Sequence, residues 1–91
     1  MTSLENLTAK YIRNAEHAFE TLRFSENQRS LSECKVKEIV ELARAYMKDA
    51  GFYLKEGKSE TALSSIAYCE GLLDALRLLG LIEFEWSKAS R

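Results

Sequence analysis

The stretch Tyr46-Met-Lys-Asp49-Ala50-Gly-Phe52-Tyr53-Leu54-Lys-Glu-Gly57-Lys-Ser59-Glu-Thr-Ala62-Leu63-Ser-Ser-Ile66 decides the fold. Upstream of Gly57, Val36, Val40, Ala43, Met47, Ala50 and Leu54 recur at alternating spacings of three and four, one stripe of an amphipathic helix. A second row of Ile39, Leu42, Tyr46 and Tyr53 widens that stripe until it can touch two neighbours at once. Downstream, Ala62, Ile66, Cys69, Leu73 and Leu76 repeat the period, with Tyr68, Leu72, Ala75 and Leu79 beside them. Gly57 supplies the left-handed residue that ends a helix, and Ser59 is placed to cap the next. So short a connection makes the two helices antiparallel neighbours. The spacing predicts them over about 31–56 and 60–79. Gly80 stops the latter, with Leu81 closing a Schellman-type contact.

Upstream, Thr2 and Glu5 form a capping box for a helix over about 3–24, with Leu4, Leu7, Tyr11, Ala15, Ala18 and Leu22 on one stripe, widened by Ile12 and Phe19. Lys10, Arg13, Asn14, His17 and Glu20 fall away from it. Ser25 to Leu31 reads as a polar connection, and Ser30 with Glu33 repeats the capping signature. After Gly80, Ile82-Glu-Phe84-Glu-Trp86 alternates apolar and acidic, the period of an extended segment with one greasy edge. Ser87 to Arg91 reads as frayed. The expected fold is therefore all-α, an up-and-down three-helix bundle with a short extended C-terminal tail.

With 91 residues the sequence has room for one core, so residues 1–91 are read as a single helical domain. A chain of this size buries only about 60% of its unfolded surface, which leaves self-association open as a way to complete the core. Thirteen basic against fourteen acidic residues give a net charge of −1, without the long-range field that nucleic acid or anionic lipid would require. The two cysteines, Cys34 and Cys69, lack metal-ligand spacing and read as reduced thiols of a cytoplasmic protein. There is neither a secretory signal pattern nor an apolar run of the roughly 20 residues a membrane span needs.

The elements Ala43-Arg-Ala-Tyr46-Met-Lys-Asp49-Ala50-Gly-Phe52-Tyr53-Leu54-Lys-Glu-Gly57, Ala62-Leu63 and Ile66-Ala67-Tyr68-Cys69-Glu70-Gly71-Leu72-Leu73-Asp74-Ala75-Leu76-Arg-Leu-Leu-Gly80-Leu81 occur here in that order. In this the chain resembles the small archaeal family catalogued as domain of unknown function 357. The match covers the second and third helices. The resemblance implies a three-helix bundle from an archaeon and implies no activity.

Four constellations bear on function. Asp49, Glu70 and Asp74 are the candidate oxygen ligands for Mg²⁺ or Mn²⁺, the basis of an alternative reading as a metal-dependent site for nucleotides or RNA. Glu70 and Asp74, four apart on one helix, repel unless something offsets them, and Arg77 is the nearest candidate. Glu38-Ile-Val-Glu41 with Glu70-Gly-Leu-Leu-Asp74 looks like the paired acidic motifs of all-α nucleoside-triphosphate pyrophosphatases. One extra residue, however, rotates Asp74 by about 100° from the spacing that chemistry uses. Lys37, Arg44, Lys48 and Lys55 form a basic stripe, interrupted by Glu41, with Phe52 as a possible stacking ring; it reads as a solvated helix face, so nucleic acid is not the expected partner. His17 is the only histidine, and Cys69 sits on the apolar row as a packing residue.

The fourth constellation is apolar. Ser64, Ala67, Gly71 and Ala75 give the third helix a flank of small residues where another backbone could approach, and Gly71 costs about 1 kcal/mol relative to alanine unless packing offsets it. Two coverings are open: a second chain, or this bundle's own tail with Gly71 accommodating Tyr11 or Phe19. The expectation is a non-enzymatic protein-binding or oligomerisation module without cofactor or metal, a homodimer being one form. Its contact set is Gly71, Ala75, Leu78, Phe84 and Trp86.

Overall fold

The computed structural model describes residues 3–25 and 33–86. Three helices, α1 (Ser3–Thr21), α2 (Glu33–Lys55) and α3 (Ser59–Leu78), form the bundle; two short strands, β1 (Arg23–Phe24) and β2 (Ile82–Glu83), close one end. The expected three-helix, all-α architecture is the one observed.

The turn at Gly57 explains the α2–α3 pairing. Gly57 has φ +79°, its N–H donates to the Leu54 carbonyl at 3.1 Å, and the Lys58 N–H donates to the Tyr53 carbonyl at 2.9 Å. That pair of bonds is a Schellman motif, which satisfies carbonyls the ending helix would otherwise leave open. The Lys58 carbonyl at once accepts the Ala62 N–H at 2.9 Å, so one helix passes into the next with Lys58 as the N-cap. The expected cap by Ser59 is not made: Ser59 is already the first helical residue, and no side chain caps α3. Gly80 (φ +78°) ends α3 in the same way, through Gly80 N–H to Arg77 and Leu81 N–H to Leu76 bonds of 2.9 and 3.0 Å. Leu76 and Leu81 are both buried, which supplies the apolar contact that accompanies this motif.

The core lies where the three helices meet. Ile12, Ala15 and Ala18 of α1, Val36, Val40, Ala43 and Ala50 of α2, and Ala62, Ile66, Cys69, Leu73 and Leu76 of α3 are buried together. The alanines let the axes approach closely, while Ile66 and Leu73 fill the space between. α2 and α3 share the most extensive contact, and α1 lies against both.

The expected first helix, 3–24, is three residues too long. Thr21 Oγ1 bonds within α1, 3.1 Å from the His17 carbonyl, and accepts the Glu85 N–H at 2.7 Å. Beyond it, Arg23 and Phe24 leave the helix to pair antiparallel with Glu83 and Ile82, and the Ser25 N–H donates to the Leu81 carbonyl at 2.9 Å. The extended tail offers ladder partners that outweigh another helical turn, as does the Arg23–Glu83 ion pair at 2.6 Å to a lesser degree. Asn14, expected on the polar face, is buried, because the tail runs along the flank of α1 that also carries His17 and Thr21. α2 and α3 end one residue before their expected limits of 56 and 79, and α3 begins one residue before 60, at Ser59. The Thr2–Glu5 and Ser30–Glu33 boxes, the start of the second helix at 31, the 26–31 part of the connection and the frayed 87–91 all involve positions outside the described residues.

Gly80→Ala is expected to lower stability by about 1 kcal/mol, since alanine is strained at that φ. Gly71→Ala is expected to raise it by about 0.5–1 kcal/mol, since a Cβ there meets nothing within 4 Å. Urea denaturation followed by circular dichroism at low protein concentration checks both signs.

Candidate functional site: the outer face of the second and third helices

A helix advances about 100° per residue, so the two apolar rows of α2 and α3 point in different directions. α1 takes one side: the Arg44 guanidinium lies over the Phe19 ring at 4.5 Å, and Glu16, Phe19 and Glu20 share a shallow depression with Arg44 and Met47. The tail sits on the same side of α3, where Arg77 covers Phe84 at 5.4 Å. The other rows are left facing outward between the two helices. Their centre is Tyr46 against Tyr68, rings 4.6 Å apart and edge-on at 65°.

From that pair towards the closed end run Leu42 and Ile39 on α2 and Leu72, Ala75 and Leu79 on α3. Exposure rises across this set, from half-buried Ile39, Tyr46 and Leu72 to Leu42 at 45%, Tyr68 at 50% and Leu79 at 66%. Ala67, Gly71 and Leu78 continue the apolar surface over the crest of α3, Leu78 being 81% exposed. Past the first turn of α3, its charged residues are Glu70, Asp74 and Arg77, all within a strip about 60° wide on the side away from this face. Polar groups frame the patch: the Lys35–Glu38 pair (3.6 Å) at one end, Asp49, Ser64 and Ser65 towards the other. Among the described residues nothing covers it.

The structure does not bring the candidate metal ligands together. Asp49 stands at the edge of the outer face, whereas Glu70 and Asp74 point to the opposite side of α3, and among the described residues no three His, Cys, Asp or Glu side chains are grouped as a metal ion requires. The repulsion between Glu70 and Asp74 is offset as expected by Arg77, 3.0 Å from the Asp74 carboxylate. The basic stripe is interlaced with acids: Lys37 pairs with Glu33 at 3.6 Å and Arg44 with Glu41 at 3.3 Å. Phe52 is exposed but leans on Tyr53, ring centroids 5.5 Å apart. His17 lies in the α1–tail seam, its Nδ1 3.9 Å from Glu20 and its Nε2 3.8 Å from Glu85.

Of the expected contact set, Gly71, Ala75 and Leu78 are exposed on α3. Phe84 and Trp86 instead pack edge-to-face at 4.7 Å in the tail, Trp86 buried and Phe84 half-buried against this chain's own core. Neither Tyr11 nor Phe19 is accommodated by Gly71, beside which no atom lies within 4 Å of a would-be Cβ. Sequence reasoning assigned Leu42, Tyr46, Tyr68 and Leu79 to the general apolar arc. The confinement of the α3 charges to one strip is the signal that separates them.

What fold and surface define is a class: a small helical bundle with one sealed end and one uncovered apolar face. The chain belongs to the family described as protein of unknown function (DUF357), whose profile matches residues 10–82. No curated protein and no solved structure matches it. Among the described residues, no helix is long and apolar enough to cross a membrane.

The two thiols differ in chemistry. Cys34 is exposed, whereas burial in the core, with a smaller contribution from the neighbouring Glu70 charge, pushes the Cys69 thiol up to about 12. Since the thiolate is the reactive form, a disulfide reagent at pH 8 is expected to modify one cysteine rapidly. The second is expected to react at least a hundredfold more slowly, at the rate of unfolding, and Cys34→Ser should abolish the fast phase.

Proposed function

We propose that this chain is a non-enzymatic protein-binding module whose contact surface is the outer face of α2 and α3. The observation that carries this reading is the continuous apolar patch from Leu42 and Tyr46 across Tyr68 to Leu79, with Gly71, Ala75 and Leu78 beside it. Isolated exposed leucines are ordinary on a monomer; a contiguous set spanning two helices and framed by polar groups has the anatomy of an interface. Phe84 and Trp86 enter only through the tail they anchor, which seals the end of the bundle and keeps α3 in place.

The alternative, a nucleotide or RNA site built on Asp49, Glu70 and Asp74, has no converging geometry to support it. The shallow depressions at the α2–α3 turn and between α1 and α2 include none of these three carboxylates in their walls.

A photoreactive amino acid placed at Leu78, in cells that express the protein naturally, is expected to yield covalent protein adducts. The same residue at Lys10, exposed on α1, should yield at least tenfold fewer. Equal yields from the two positions, or none from Leu78, would sink the binding reading.

A further inference from the structure

We infer that the partner on this face is a second copy of the same chain, joined by a two-fold axis so that α2 of each copy lies across α3 of the other. This rests on the protein-binding reading above and names the occupant.

Charge limits the occupant first. Because α3 keeps Glu70, Asp74 and Arg77 on its far side, the face offers almost nothing for a charged partner to pair with, and burying an unpaired charge against it would be costly. The occupant must present an equally charge-poor surface. This chain presents one, and with a net charge of −1 its copies scarcely repel each other.

Relief is the second argument. Bulk and hollow alternate across the face: Leu42 and Tyr46 of α2 and Tyr68 and Leu79 of α3 stand up from it, while the crest of α3 at Ala67, Gly71 and Ala75 lies low enough for another helix to settle close. An isologous contact places each row against its complement twice, which a two-fold axis does automatically. Gly71 then has a role that its own fold does not give it, since no atom of the described chain approaches its would-be Cβ.

Area is the third. Along α3 the face runs from Ser64 to Leu79, about 24 Å of helix, and two helices side by side are about 20 Å across, so with its rim it covers roughly 500 Å² in projection. Two such faces bury about 1,000 Å², the least that a specific interface needs and the size of a weak, reversible association. The product is a four-helix layer with Tyr46 and Tyr68 of both copies at its centre and an α1 on each outer side. The polar frame, with the Lys35–Glu38 pair at one end and Asp49, Ser64 and Ser65 at the other, remains at the rim.

Sedimentation equilibrium of the full chain from about 1 to 500 µM tests this, beside Gly71→Lys, Leu42→Glu and the control Lys10→Glu. Circular dichroism checks that each variant is folded. The Gly71 variant keeps the test sound, because its side chain enters open space and disturbs nothing within the monomer. The expected result is a reversible dimer in the wild type and in Lys10→Glu, with a dissociation constant raised at least a hundredfold in the other two. A wild type that stays monomeric at 500 µM overturns the inference, as does a dimer indifferent to both face substitutions. If that happens while Leu78 cross-links in cells to a protein of another mass, self-association fails and the protein-binding reading stands. If the cross-links are absent as well, both fall.

Discussion

The three-residue passage from α2 into α3, Glu56 to Lys58, governs this molecule. Gly57 in the left-handed region and Lys58 behind it reverse the chain with both ends of the turn hydrogen-bonded, which leaves no slack between the helices. Two helices of 23 and 20 residues are thereby held antiparallel along nearly their whole length, and every feature of either surface is registered against the other. Tyr46 meets Tyr68 because of that register, and Leu42 and Leu72 follow one turn on. A longer connection would have let the helices cross at an angle, splitting the outer rows rather than merging them into one face.

A hairpin of this kind has two sides, and one short helix cannot cover both. α1 covers the side that carries Arg44 and Met47, and the tail finishes the job by crossing its C-terminal end. The arrangement is held from two directions. Backbone pairing of Arg23–Phe24 with Ile82–Glu83 fixes the register, while Ile82 and Trp86 go into the core as Glu83 and Glu85 stay outside. The tail's apolar residues are thus largely consumed within the chain, and the patch that spans α2 and α3 lies on the side that neither α1 nor the tail reaches.

Much of this was legible in the sequence, because local physics dictates it. Gly57 and Gly80 announce the positive φ values they adopt, and the period-two tail announces its alternation of buried and exposed residues. The misplaced end of α1 was not legible: nothing near Thr21 forbids helix, and the competing ladder partner lies some sixty residues away. Asn14 is buried for the same non-local reason, and Ser59 lost its cap to Lys58 because the Schellman turn left no intervening residue. The candidate site was half legible. Both rows of α2 and α3 could be read, but a 3.6-residue period does not say which row the third helix will choose.

That choice gives α3 its physical interest. An ordinary surface helix divides into an apolar face and a charged one, and a helix apolar nearly all round is normally enclosed. α3 is apolar over most of its circumference yet enclosed over little more than half, with its charges gathered into one strip on the side away from the outer face. Glycine within a helix sharpens the mismatch. Gly71, like Gly51 on α2, costs about 1 kcal/mol against alanine and has no contact in the monomer that requires its smallness. Unlike Gly51, it stands on an exposed apolar crest with Ala67, Ala75 and Leu78 for company. A local preference that the fold leaves unexplained, on an exposed apolar crest, points to a requirement outside the monomer. A surface that is charge-poor, apolar and low in relief is suited to the close approach of another helix.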